Sequence, residues 1–241
     1  MASHSEILRT SMQLTPLHSA EELRQISNLA HGIEGIVLGL AALIAIVQAT
    51  GRLNTGRARY LWPALILLAG AGLLFYLVVP HHGLARARAQ WEFVFGDPQQ
   101  RQHLVIAALI ILAGLAEVLA RSGRLEAHVG SLVWPAVLLI VGVLFVIHQQ
   151  HGTSAAVMRA MLVHRWLGSL LVAAGALAGI DAMRSRRGGA MTAGWAVMLL
   201  LASLLLIVYR EPEGAYHGAM PTRGSGPTRA QVSNDELHEM R

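Results

Sequence analysis

Six long apolar runs dominate this chain and leave it few folds to choose from. They lie at about Leu29–Ala49, Tyr60–Val79, Leu104–Ala120, Ser131–Ile147, Met161–Ala182 and Ala190–Tyr209. Each is close to the roughly 17 to 25 residues that a helix needs to cross a bilayer. Within lipid only helices and closed barrels satisfy their own backbone polar groups, and runs this long and continuous select helices. The expected fold class is therefore all-α: a polytopic membrane protein with a six-helix transmembrane bundle. Composition agrees, since 54% of the residues are hydrophobic and only 14% are charged. Residues 1–27 are polar and the first apolar run is full length, so that run is expected to be a retained helix rather than a cleaved signal.

Three domains of very different character follow: a polar N-terminal segment 1–27, a transmembrane domain 28–214, and a C-terminal tail 215–241 rich in Gly, Pro, Ser and Thr, expected to be disordered. Between His81 and Gln102 a longer connection carries Trp91, Phe93 and Phe95, which suggests an interfacial segment with its aromatics at headgroup level.

The apolar runs group into three helical hairpins, about 28–83, 102–152 and 161–214, that read as an internal repeat. His31 and Trp62, His103 and Trp134, and His164 and Trp195 are each separated by 31 positions. The first two units also share Gly51-Arg52-Leu53 with Gly123-Arg124-Leu125, and Trp62-Pro63-Ala64 with Trp134-Pro135-Ala136, in the same register. Pro63 and Pro135 suit a first helical turn, where the missing N–H costs nothing. The units close on Gly83, Gly152 and Gly214, which suit helix C-terminal caps. The three tryptophans are expected to anchor at the interface.

An antiparallel hairpin returns to the surface it left, so the repeat gathers His31, His81, His82, His103, His148, His151 and His164 on one side. Glu34, Glu211, Glu213 and Gln102 are possible companions there, and His128 falls in an opposite loop. If the fourth helix continues to His151, it shares one face with His148, three residues away. Imidazole is the commonest biological ligand for copper, zinc and haem iron, so these seven histidines form the expected metal set. Further histidines and methionines (His4, Met12, His18, His217, Met220, His238 and Met240) are scattered through the tails and read as solvated. Glu117 and Asp181 sit toward the other face and are expected to pair with Arg121 and with Arg184 or Arg186.

No cysteine occurs, which excludes thiolate zinc sites, iron–sulfur clusters and cysteine nucleophiles. The net charge of +5 comes from arginine alone. Arg52, Arg57, Arg59, Arg121, Arg124, Arg184, Arg186 and Arg187 lie in the three tight links, against Arg86, Arg88, Arg101 and Arg159 on the histidine side. The positive-inside rule puts the links in the cytoplasm, with both termini and the histidine surface periplasmic in a bacterial inner membrane. That use of arginine leaves nucleic acid without a role as partner. Apart from the lipid bilayer, the expected partners are a metal ion and a periplasmic metal donor or another membrane subunit.

An oxidising compartment with His and Met ligands fits copper, with zinc as the alternative. Copper handling, for resistance, delivery or assembly, is the expected function, without catalysis: no Walker loop, dinucleotide fingerprint, serine elbow or HExxH motif occurs. Two other classes remain. A b-type haem electron carrier or quinone oxidoreductase subunit would take axial ligands from His31, His103 and His164. A non-catalytic scaffold or transporter subunit would use the histidines only to decorate an interface.

Overall fold

The computed structural model describes residues 19–79, 84–184 and 189–216. Pro80, His81, His82, Gly83, Arg186 and both tails, with their histidines and methionines, lie outside the described residues, as does the side chain of His128. Among the described residues there are seven α-helices: α1 (Ala20–Ala49), α2 (Leu61–Val78), α3 (Leu84–Gly96), α4 (Pro98–Arg121), α5 (Ala127–Val146), α6 (Ser154–Met183) and α7 (Ala190–Val208). All but α3 are long and apolar enough to span a membrane.

The first helix starts well before its apolar run, because Ser19 and Glu22 form a reciprocal capping box that satisfies the first backbone N–H groups. Asp97 does the same for α4, accepting from the N–H of Gln100, with Pro98 in the first turn. Thr153 caps α6. The polar residues ahead of three apolar runs are thus helical, and the helices project beyond the stretch that hydropathy marks. At the opposite end, Gly51 and Gly123 take φ of 83° and 74° just past α1 and α4, the left-handed conformation that ends a helix cheaply only in glycine.

The six long helices close into a ring. Each of α1, α2, α4, α5, α6 and α7 packs on the next in that order, and α7 returns to α1. The most extensive contacts are α5 with α6, α1 with α7 and α2 with α4, which join one hairpin to another rather than the two helices of one hairpin. Small residues make these contacts close. A Cβ on Gly70 would lie 2.8 Å from the Ile111 nitrogen, one on Gly114 2.7 Å from the Leu67 nitrogen, and one on Gly35 2.9 Å from the Ser203 carbonyl. Gly70, Gly142 and Ser203 each fall eight residues after a tryptophan, and Gly35, Ala107 and Gly168 four residues after a histidine. In lipid, where hydrocarbon contact with a neighbour gains little over contact with acyl chains, close backbone approach is what holds helices together.

Several expectations are corrected here. Trp62, Trp134 and Trp195 are not interfacial anchors: they are at most 5% exposed. Their rings meet in a triangle with centroids 5.2, 5.5 and 5.8 Å apart. Pro135 lies inside α5 and not in its first turn, because Ala127–Trp134 are already helical. Gly152 and Gly214 cap no helix. They bring the loop after α5 against the segment after α7, with a bridge between Gly152 and Ala215 and bonds from Thr153 N to the Gly214 carbonyl (3.0 Å) and from Tyr216 N to the His151 carbonyl (3.1 Å). Ala215 and Tyr216 are consequently buried parts of the fold and not the start of a disordered tail.

Of the two carboxylates near the arginine-rich face, Glu117 pairs with Arg121 as expected, at 3.2 Å. Arg121 also donates to the Arg59 carbonyl (2.6 Å) and lies over the Trp62 ring. Asp181 accepts from the Thr192 hydroxyl (2.6 Å), bonding across to α7. The Trp91 indole N–H donates to the Val78 carbonyl, which ties α3 to the end of α2.

Candidate functional site

Four of the predicted histidines come together at one end of the ring. His148 and His164 are stacked, with centroids 4.3 Å apart. His103 meets His148 edge-on at 5.2 Å, and His31 meets His164 at 6.1 Å. Phe145 lies near-parallel to His164 with centroids 5.8 Å apart, and Tyr209 touches both His31 and His164. Three of these histidines lie within helices, His31 on α1, His103 on α4 and His164 on α6. The fourth follows the end of α5, whose backbone stops at Val146, with Ile147 as its cap.

One nitrogen of each ring is already engaged. Nδ1 of His103 lies 2.8 Å from the Gln99 carbonyl and Nδ1 of His164 2.8 Å from the Ala160 carbonyl. A carbonyl can only accept, so in both rings Nδ1 carries the proton and Nε2 keeps its lone pair. Gln102 makes the same assignment for His148. Its amide nitrogen donates to the Leu144 carbonyl, leaving Oε1 to accept from His148 Nδ1 at 2.8 Å. Nδ1 of His31 faces the Ser27 hydroxyl at 3.5 Å, the long limit of a hydrogen bond, and that hydroxyl donates onward to Glu211. Nε2 of His148 is buried and makes no hydrogen bond of normal geometry among the described residues, although the Gln150 side chain acts on the ring. Burial, with the nearby His164 and His103 rings, holds the His148 pKa well below its usual value, so the ring is neutral.

Glu211 is the polar hub above the cluster, and it is only 2% exposed. Its carboxylate accepts from Tyr209 (2.8 Å), Ser27 (3.1 Å), Tyr216 (3.3 Å) and Gln150 (3.4 Å), and its backbone N–H donates to Asn28 (2.7 Å). Burial raises the Glu211 pKa against the lowering effect of the Tyr209, Ser27 and Tyr216 hydroxyls. Burial and the carboxylate together push the Tyr209 and Tyr216 phenols up. Glu213, a fellow candidate by sequence, is exposed.

His151 does not join the four rings. The chain has left the helix before reaching it, which removes the shared face expected with His148. Its Nε2 instead meets Asp97 at 2.6 Å, while its backbone N–H donates to Gln99. Asp97 therefore holds both the start of α4 and the loop over the cluster. Asp97→Ala is expected to lower stability by about 1–2 kcal/mol through loss of the cap alone, measurable as a drop in the unfolding midpoint in detergent.

Sequence reasoning found Gln102 as a companion of these histidines. It missed Ser27, Asn28, Gln99, Gln150, Tyr209 and Tyr216, which are ordinary polar residues at helix ends and carry no spacing signal. Among the described residues no three His, Asp or Glu side chains are already arranged to hold one ion. What the fold assembles is a group of four imidazoles, three of them buried, in which His103, His148 and His164 each engage Nδ1 with a carbonyl or amide oxygen. No protein family model matches this chain, and no curated protein or solved structure shows significant similarity to it.

Proposed function

We propose that this is an integral membrane protein that binds a transition-metal ion, copper in the first instance, through His31, His103, His148 and His164. The observation that carries the reading is the buried Nε2 of His148, which makes no hydrogen bond of normal geometry among the described residues, in a ring stacked against His164. A buried acceptor without a donor costs free energy. A soft or borderline cation is the natural ligand of a neutral imidazole whose other nitrogen is already bonded to a carbonyl or amide oxygen. Loading requires the stacked His148 and His164 rings to turn apart so that their nitrogens face one ion. Glu211, with Ser27 between it and His31, supplies nearby negative charge when ionised.

The same reading takes the six spans as three copies of one hairpin closed into a ring. The recurring small residues at the hairpin-to-hairpin contacts and the triangle of equivalent tryptophans support that view. It keeps the histidine end periplasmic in a bacterial inner membrane, on the distribution of arginine. A b-type haem on His31, His103 or His164 is the alternative, and the cavity of about 90 Å3 bordered by His31 and His103 would have to widen to admit it.

Metal analysis of the purified protein after loading with Cu(I) is expected to find bound copper in the parent chain. His148→Ala with His164→Ala is expected to lose about one equivalent, whereas His151→Ala keeps it, since that ring faces Asp97. Unchanged copper in the double variant would overturn the reading, and a Soret band in the absorption spectrum would replace it with the haem alternative.

A further inference from the structure

Inside the helix ring, below the histidines, lies a partly open cavity of about 90 Å3 to which all six spanning helices contribute. On α5 it extends from Trp134 to Phe145, about 16 Å at 1.5 Å per residue. Its walls are aliphatic, with Leu38, Ile66, Ile106, Leu138 and Leu171 among them. At the histidine end three side chains interrupt the hydrocarbon: Glu34, His31 and His103.

Glu34 stands out in this setting. It is partly exposed and makes no hydrogen bond or ion pair among the described residues. Ile106 and Leu167 occupy the corresponding positions three residues after His103 and His164, and both are buried and aliphatic. A carboxylate inside a membrane bundle is expensive and ordinarily has a partner. The titratable groups around it are His31 on its own helix, Tyr76 on α2, which feels its charge, and His103 on α4. With Nδ1 of His103 committed to Gln99 and that of His31 turned to Ser27, both rings offer this end lone pairs rather than protons. The polar end of the cavity is thus a set of acceptors, one of them a potential anion, and the remainder is hydrocarbon.

We infer that the cavity is a binding site for a short-chain alkylammonium ion. The N–H groups would be received by Glu34 and the free imidazole nitrogens, and the alkyl portion by the aliphatic walls. Size sets the class. An apolar cavity of about 150 Å3 accommodates benzene, with six heavy atoms, so about 90 Å3 takes three or four. Ethylammonium and dimethylammonium have three. The best small ligands gain a bounded free energy per heavy atom, which sets the dissociation constant at roughly 0.1 mM or weaker. The inference uses Glu34, the cavity walls and the His31 and His103 rings that the metal reading also uses, and its test on metal-free protein lets either reading fail without the other.

The test is calorimetric titration of the metal-free, detergent-solubilised full chain with ethylammonium chloride at constant ionic strength, with sodium chloride as the blank. Saturable one-to-one binding between roughly 0.1 and 10 mM is expected. Glu34→Gln should weaken it at least tenfold, while Glu117→Gln, remote from the cavity, leaves it unchanged. Val137→Phe fills the cavity with Glu34 intact and should abolish binding, which keeps the inference testable if Glu34→Gln fails to fold. Absence of saturable heat in the parent chain, parental affinity in Glu34→Gln, or parental affinity in Val137→Phe would each overturn it.

Discussion

Gly168→Ala is expected to destabilise the bundle by about 2 kcal/mol net, although alanine is the better helix former by about 1 kcal/mol. A Cβ at Gly168 would lie 2.5 Å from the Gly142 carbonyl oxygen and 2.9 Å from the Val146 nitrogen. Both are backbone atoms of α5, so no side-chain rotation relieves the clash and the two helices must separate. Separation forfeits packing along the contact that also includes Gly142 and Gly175. Gly72→Ala is the control: it lies in α2 with nothing within 4 Å of the new carbon, and helix propensity alone should leave it neutral or more stable. Unfolding by graded denaturing detergent, followed by circular dichroism, gives both values. A parental midpoint for Gly168→Ala would mean that α5 and α6 are not in backbone contact.

Glu211→Ala carries the second large effect, about 3 kcal/mol of lost stability, as expected when a buried hydrogen-bonded hub is removed and its partners stay behind. Tyr209, Tyr216, Ser27 and Gln150 would all lose their acceptor in a site closed to water. Glu211→Gln should lose less, because its amide oxygen still accepts, and it isolates the effect of charge. With the folded-state pKa raised by burial, the folded protein holds a proton that the unfolded chain has released. Stability is therefore greatest below the usual carboxylate value near 4.5 and falls as pH rises through the raised folded value. Glu211→Gln should flatten that slope. A parental pH profile in the variant would move the titration to another group.

The histidine gathering was legible because it depends only on chain reversal. A hairpin of two spanning helices returns its ends to one surface, so His31, His103, His148 and His164 share a side whatever the packing. Which of them touch was not legible. His148 and His151 differ by three positions, and on a continued helix they would point the same way. The helix ends at Val146, and the two rings go to Gln102 and Asp97 instead. The tryptophans show the same limit. Trp62, Trp134 and Trp195 start their spans, as interfacial anchors do, and hydropathy cannot tell an indole facing lipid from one facing the ring axis. Contact among all three requires a closed ring, and closure is a property of six helices together.

The sequence by itself determined the number of long apolar helices, the recurrence of histidine and tryptophan at a common spacing, and the end at which imidazole accumulates, since these follow from bilayer thickness and chain reversal. Tertiary structure alone decided that the helices close into a ring, that four imidazoles meet beneath the Glu211 hub, and that Glu34 borders a cavity along the axis. Those outcomes depend on how closely backbones approach at Gly70, Gly114, Gly142 and Gly168, a distance set between helices far apart in the chain.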